Sequence, residues 1–231
     1  MKDLRYWQQR DWFSAFALDA FRKYFDDRSH LGAFVNSIAT DEEKSLFLKV
    51  ASHYKFLVKD GKFSVSGYED TNYLGETYRF VSIVALIEAV ESSVSFKEFY
   101  PWLKQSATFP IQDQQHLDQL HKQYKSQFGL MHKIVSFFQR LDDSSKGEIE
   151  SAIKIDGQPL AIDKLAKTLY DIRSKFLHDA RLIVDLSGMP TWSMQSGKLR
   201  EITLPLEQLE RLFERGVLLR FGYTPQGSWP K

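Results

Sequence analysis

The chain has 231 residues and a formal charge of +1; 43% of its residues are hydrophobic and 14% aromatic. That is enough apolar material for one large domain or two modest ones sharing a core, and the near-zero charge supplies no global field for nucleic acid, so any RNA-binding surface must be a local patch. Cysteine is absent, which excludes disulfides, thiolate catalysis and cysteine-ligated zinc and suits a reducing compartment.

The first sixty residues read as helices. Trp7, Trp12, Phe13, Phe16, Phe21, Tyr24 and Phe25 recur at helical spacing and form an aromatic face, more simply a core stripe than a partner groove. Thr40-Asp-Glu-Glu43 is a capping box that opens a second helix with Leu46, Phe47, Val50, Tyr54 and Leu57, ending near Asp60-Gly61. Lys62 to Gly67 alternates like a short strand or linker, and places a seam between a helical extension (1–67) and a main domain (68–231). From Thr71 to Ser92 a helix is apolar nearly all round, with Glu88 the one charge in its most apolar part, and should be central and buried. Helices over Ser95–Gln105, Asp113–Gln127 and Leu130–Leu141 follow, broken at Pro110 and Gly129. Asp142 to Gly147 reads as a polar loop before a helix over Glu148–Ile153, and Gly157-Gln-Pro159 leads into a long helix from about Pro159 to Val184. Beyond Gly188-Met-Pro190, a β-hairpin pairs Thr191–Met194 with Leu199–Leu204, and Pro205 opens a last helix over Leu206–Leu219.

The N-terminus is too charged for a secretory signal. The longest apolar run, Phe80 to Ile87, is far short of the roughly 20 residues of a membrane helix. The reading is a cytoplasmic protein with no membrane association.

Chemistry concentrates in Leu169-Tyr-Asp-Ile-Arg-Ser-Lys-Phe-Leu-His178. Arg173 is a permanent cation and His178 exchanges a proton near neutral pH, so the two suit a phosphodiester. On an ideal wheel, however, five residues place His178 about 140° from Arg173. Arg173 falls within the apolar arc of Leu165, Leu169, Ile172 and Phe176, whereas His178 lies among Lys167, Asp171 and Ser174. A buried arginine needs a carboxylate, and Glu88 is the expected partner.

The line L-Y-x-I-R-S-K-x-x-H resembles the signature of the HEPN superfamily. Tyr78 to Val90, with its Ala-Leu-Ile-Glu, is similar to the opening helix of Apea-like HEPN domains, and the likeness spans about Thr71 to Phe221. Asp179 stands where such domains often have glycine, and Ser174 where many nucleases have Asn, Asp or His. The resemblance implies an all-α, HEPN-like helical bundle and a homodimer whose cleft joins two copies of Arg173 and His178. It also implies metal-independent RNA cleavage, with His178 moving protons and Arg173 stabilising phosphoryl charge. A toxin–antitoxin or antiviral role, with a neutralising protein partner, belongs to the same implication. The alternative is a non-catalytic module that binds nucleotide, nucleic acid or a protein, with both residues kept for structure.

Other chemistry is weak. His116, His121 and His132 with Asp113 and Asp118 match no strong metal-ligand spacing, and neither Gly-rich phosphate loops nor a nucleophile elbow occur. No cofactor or metal is expected. Lys122, Lys125, Lys133 and Arg140 form a basic patch or, more simply, a wet surface.

Overall fold

Side-chain caps set several helix starts in the computed structural model, which describes residues 3–61, 72–91, 98–109, 111, 113–179, 186–195, 197–225 and 227–230. The helices are α1 (Arg5–Gln8), α2 (Arg10–Ala20), α3 (Arg28–Ser37), α4 (Asp41–Tyr54), α5 (Asn72–Val90), α6 (Phe99–Ser106), α7 (Gln114–Phe128), α8 (Leu130–Gln139), α9 (Asp143–Ser151), α10 (Ile162–Asp179) and α11 (Leu206–Arg220). Asp27, Thr40, Asp113 and Asp142 each accept a backbone N–H in the first turn of the following helix. The Thr40 box closes on one side only. Thr40 accepts the Glu43 N–H at 3.2 Å, while the Glu43 carboxylate turns to Arg220 at 3.0 Å.

A single apolar cluster runs from Tyr6 to Phe221. Phe47 meets Phe221 and Tyr54 meets Phe213, with Phe21 packed behind both Phe47 and Tyr54, so the extension shares the core of the rest. Trp12, in contrast, is 69% exposed and lies outside that core. The seam expected over Lys62–Gly67 lies outside the described residues. A satellite cluster of Trp102, Leu103 and Leu120 joins α6 to α7.

Polar groups fasten α11 to the N-terminal helices. Glu214, buried at 3% exposure, accepts the Tyr54 hydroxyl at 2.7 Å and the Tyr24 hydroxyl at 3.1 Å, and pairs with Lys59 at 2.7 Å. Glu210 pairs with Lys59 and with Arg79. Burial, followed by the Glu214 charge, pushes both tyrosines well above the ordinary phenol range. Burial alone would lower Lys59, but Glu214 and Glu210 outweigh it and raise it.

The chain is mostly helical, yet more than the expected hairpin is β. The strands β1 (Ile153–Ile155), β2 (Gln158–Pro159), β3 (Thr191–Gln195) and β4 (Lys198–Ile202) form an antiparallel four-stranded sheet in the order β2-β1-β4-β3. Asp156 and Gly157 turn β1 into β2 with φ of 49° and 77°, the left-handed pair that a tight two-residue hairpin requires. Two expectations change as a result. Ile153 opens a strand rather than ending a helix, and α10 starts at Ile162 rather than near Pro159 because Gln158 and Pro159 pair with β1. Register puts Ile155, Arg200 and Ser193 side by side on one face. Trp192, Met194 and Leu199 are exposed.

Residues 143–147, expected as a loop, are the first turns of α9. Asp142 caps it by accepting the Ser145 N–H at 3.0 Å and the Ser145 hydroxyl at 2.8 Å, and it also accepts the Trp229 indole N–H at 2.9 Å. Burial opposes ionisation of Asp142, but the Ser145 and Trp229 hydrogen bonds outweigh it and hold the carboxyl below its ordinary value. The ionised Asp142 thus adds stability above the unfolded pKa, and that contribution is lost as pH falls through the depressed folded value. Asp142→Ala should cost about 1–2 kcal/mol at pH 7. Asp142→Asn should keep most of the cap but flatten the acid-side loss. Urea unfolding of the three proteins at neutral and acidic pH checks both.

Candidate functional site

The helix α10 buries Ile162, Leu165, Ala166, Thr168, Leu169 and Ile172, and packs against α5 and α8. This stripe fixes where its polar residues can go. Arg173, one step beyond Ile172, is drawn into the seam with α5, where its Nη2 lies 3.6 Å from Glu88 Oε2. The two side chains are 18% and 13% exposed, so the pairing expected from an isolated buried charge is present. The contact is an ion pair longer than a good hydrogen bond, and Arg173 Nε has no hydrogen-bond partner.

The seam holds further charge. Burial raises the Glu88 carboxyl above the ordinary glutamate value, against the pull of Arg173 and Lys133. Burial lowers the Lys133 ammonium, against Glu88 and Glu91. Glu91 is gripped by both Nη atoms of Arg140. Of the expected basic patch, Arg140 is therefore paired with Glu91 just past the end of α5, and Lys133 lies in the field of Glu88 and Glu91.

His178 is exposed in the last turn of α10. The helix is continuous from Ile162 to Asp179, so nothing bends the histidine toward Arg173, and no hydrogen bond joins the two among the described residues. One chain does not assemble an Arg–His pair. Exposed apolar groups do gather near this end: Leu177 is 49% and Tyr78 48% exposed, and Tyr78 meets Phe176 edge-on at 5.3 Å. The histidines weighed for metal go elsewhere. His121 packs edge-on against Phe99, and His132 lies 3.5 Å from the Ser136 hydroxyl.

On the other side of α10 lies a feature that sequence reasoning missed. Lys164, Lys167, Thr168 and Asp171 face Ile155 of β1 and Lys198 and Arg200 of β4 across a cleft of about 330 Å³. Arg200 is 4% exposed, and its Nε donates to Ser193 Oγ at 3.0 Å. Burial lowers the Arg200 guanidinium, with Asp171 acting in the opposite sense. By helical periodicity Lys175 and His178 continue the face of Lys164, Lys167 and Asp171. His178 thus belongs with the cleft's face of the helix, and Arg173 with the opposite one. The spacing of the α10 cations was visible in sequence; the strands opposite them were not.

Compared with known families, curated proteins and solved structures, the chain has no match to any family model, protein or structure. No described helix is long and apolar enough to cross a membrane.

Proposed function

We propose that the chain is a HEPN-like module that binds a phosphate-bearing ligand, and that a single copy does not cleave RNA. The observation that supports this reading is the position of Arg173, which spends its charge on Glu88 at 3.6 Å inside the α5–α10 seam while His178 stands on the opposite side of the helix. A guanidinium so placed must leave one carboxylate before it can hold a phosphoryl group, and it would leave Glu88 half-buried behind it. Transition-state stabilisation depends on donors already aimed at the developing charge, and this arrangement lacks that aim.

RNA incubated with the protein and excess chelator should therefore remain intact. Arg173→Ala should lower stability by about 1–3 kcal/mol, because Glu88 loses its partner. His178→Ala should leave stability within about 0.5 kcal/mol, as for an exposed substitution. Cleavage by the unmodified protein, lost in both variants and leaving a 2′,3′-cyclic phosphate, would overturn the reading.

A second reading keeps the nuclease in a homodimer. It draws on the exposed Leu177 and Tyr78 beside the end of α10, apolar surface that a two-fold partner would cover while bringing a second His178 near the first Arg173. Sedimentation of the protein at micromolar concentration separates the two, since only the nuclease reading requires the dimer.

A further inference from the structure

We infer that the cleft between α10 and β4 is a binding site for a phosphate monoester, held by Lys167, Lys198 and the buried Arg200. The inference rests on the binding-module reading and gives it a site and a ligand class.

The first support is charge. Among the described residues the cleft is lined by the cations Lys164, Lys167, Lys198 and Arg200 and by one carboxylate, Asp171. Among the described residues no carboxylate lies within ion-pair distance of Lys164, Lys167 or Lys198. The arginines packed against the core, in contrast to these three lysines, meet carboxylates: Arg79, Arg140, Arg173, Arg211, Arg215 and Arg220 each have one within 4 Å. Cations drawn together from a helix and a strand repel one another, and a dianion placed between them relieves that repulsion.

Preorganisation is the second support. Arg200 reaches the cleft from a strand, with its residue 4% exposed and its Nε tied to Ser193. The bond from Nε fixes the plane of the guanidinium, and little further freedom is lost when it grips an anion. Arginine in a fixed plane presents parallel N–H donors to two oxygens of one phosphate.

Shape is the third. A volume of about 330 Å³ is at the small end of ligand pockets, enough for a phosphate and part of the group that carries it. Ile155 offers that carrier an apolar wall, and Asp171, which repels the anion, can accept a hydroxyl or amino group of the carrier. A phosphate monoester with two charges and three terminal oxygens matches this cation count better than a carboxylate does.

The carrier is either a free nucleotide or the 5′ end of an RNA, and the face of α10 separates them. Lys175 and His178 lie along it about 6 and 10 Å beyond Asp171, within reach of a following nucleotide but not of a lone one.

The test is calorimetric titration at constant ionic strength with inorganic phosphate, adenosine 5′-monophosphate, adenosine, and an RNA tetranucleotide with and without a 5′-phosphate. Phosphate, the nucleotide and the 5′-phosphorylated RNA should bind, and adenosine and the 5′-hydroxyl RNA should not. Lys167→Ala/Lys198→Ala removes two exposed side chains, so it should leave the melting temperature unchanged and weaken phosphate binding at least about tenfold. Arg200→Lys should weaken it too, by loss of the fork. If Lys175→Ala/His178→Ala weakens the tetranucleotide but not the mononucleotide, the source is an RNA end; if it affects neither, the source is a free nucleotide. Absence of phosphate binding, equal binding of adenosine, or unchanged binding in the double lysine variant would each overturn the inference. None of these results would restore catalysis at Arg173. RNA cleavage dependent on Arg173 and His178 would overturn the module reading and leave phosphate binding to be judged by titration.

Discussion

Glu214→Ala should cost about 3–5 kcal/mol, the range for removing one partner from a buried ionic cluster. The carboxylate is 3% exposed and receives the hydroxyls of Tyr24 and Tyr54 and the ammonium of Lys59. Truncation leaves both hydroxyls without that acceptor in places water does not reach, since Tyr24 is 4% and Tyr54 0% exposed. Lys59 is less affected, because its side chain is 29% exposed and Glu210 remains at 3.1 Å. The tyrosines therefore carry most of the loss, and this gives the prediction a sign that a simple packing defect would not show. In the natural background Tyr54→Phe should destabilise, by about 1 kcal/mol for one hydrogen bond. In the Glu214→Ala background the same change removes an orphaned hydroxyl and should stabilise. Urea unfolding of the four proteins of that cycle reads the inversion; additive losses would mean that Glu214 acts through packing alone. Tyr24, Tyr54 and Lys59 belong to the N-terminal helical region and Glu214 to α11, so hydrogen exchange in the Glu214→Ala protein should also rise first in α2 and α4.

What the sequence disclosed follows from how local each signal is. The all-round apolar run of α5, the cap at Thr40, and the breaks at Pro110 and Gly129 are encoded within a few residues, and the helices lie close to where those signals put them. The Arg173–Glu88 pair was legible for a different reason. A single charge in each of two apolar faces leaves few ways to satisfy both. The separation of Arg173 from His178 was likewise dictated by helical geometry. In contrast, α9 begins with Asp-Ser-Ser and includes Gly147, residues with weak helix preference, and its start depends on Asp142 capping and on Arg215 donating to Ser145 at 2.9 Å from 70 residues away. β1 has three residues, too few for an alternation to be read. The Asp156-Gly157 pair was the available signal, and it marks a hairpin only once flanking strands are suspected. The cleft was hidden for the same reason. Its helix side is periodic in sequence, but Lys198 and Arg200 reach it only because β4 pairs with β1, a non-local register that no local pattern records.

Gly216→Ala should destabilise the protein by about 2 kcal/mol, although alanine is the better helix former by about 1 kcal/mol. Gly216 sits within α11, where an added Cβ would lie 2.3 Å from Cζ of Phe137 and 2.7 Å from its Cε1. Those distances are far inside van der Waals contact, so the ring or the helix must move. The ring has little room. Phe137 is fully buried, stacked on Phe213 at 6.0 Å and met edge-on by Phe138 at 5.5 Å. Glycine is thus kept at a helical position it ordinarily weakens, because it lets α11 approach α8 closely over an aromatic ring. The control is a second change across the contact. Phe137→Leu alone should destabilise by loss of buried area, by about 1–2 kcal/mol, while Gly216→Ala/Phe137→Leu should be more stable than the sum of the single changes predicts. A coupling of about 1 kcal/mol or more in urea unfolding would establish the close approach, and strict additivity would refute it. The consequence reaches the functional face, since α8 also packs against α10. A displaced α8 shifts the support of the helix that carries Lys164, Lys167 and Asp171 into the cleft. Phosphate affinity in the Gly216→Ala protein should consequently fall, and recover in the double variant together with stability.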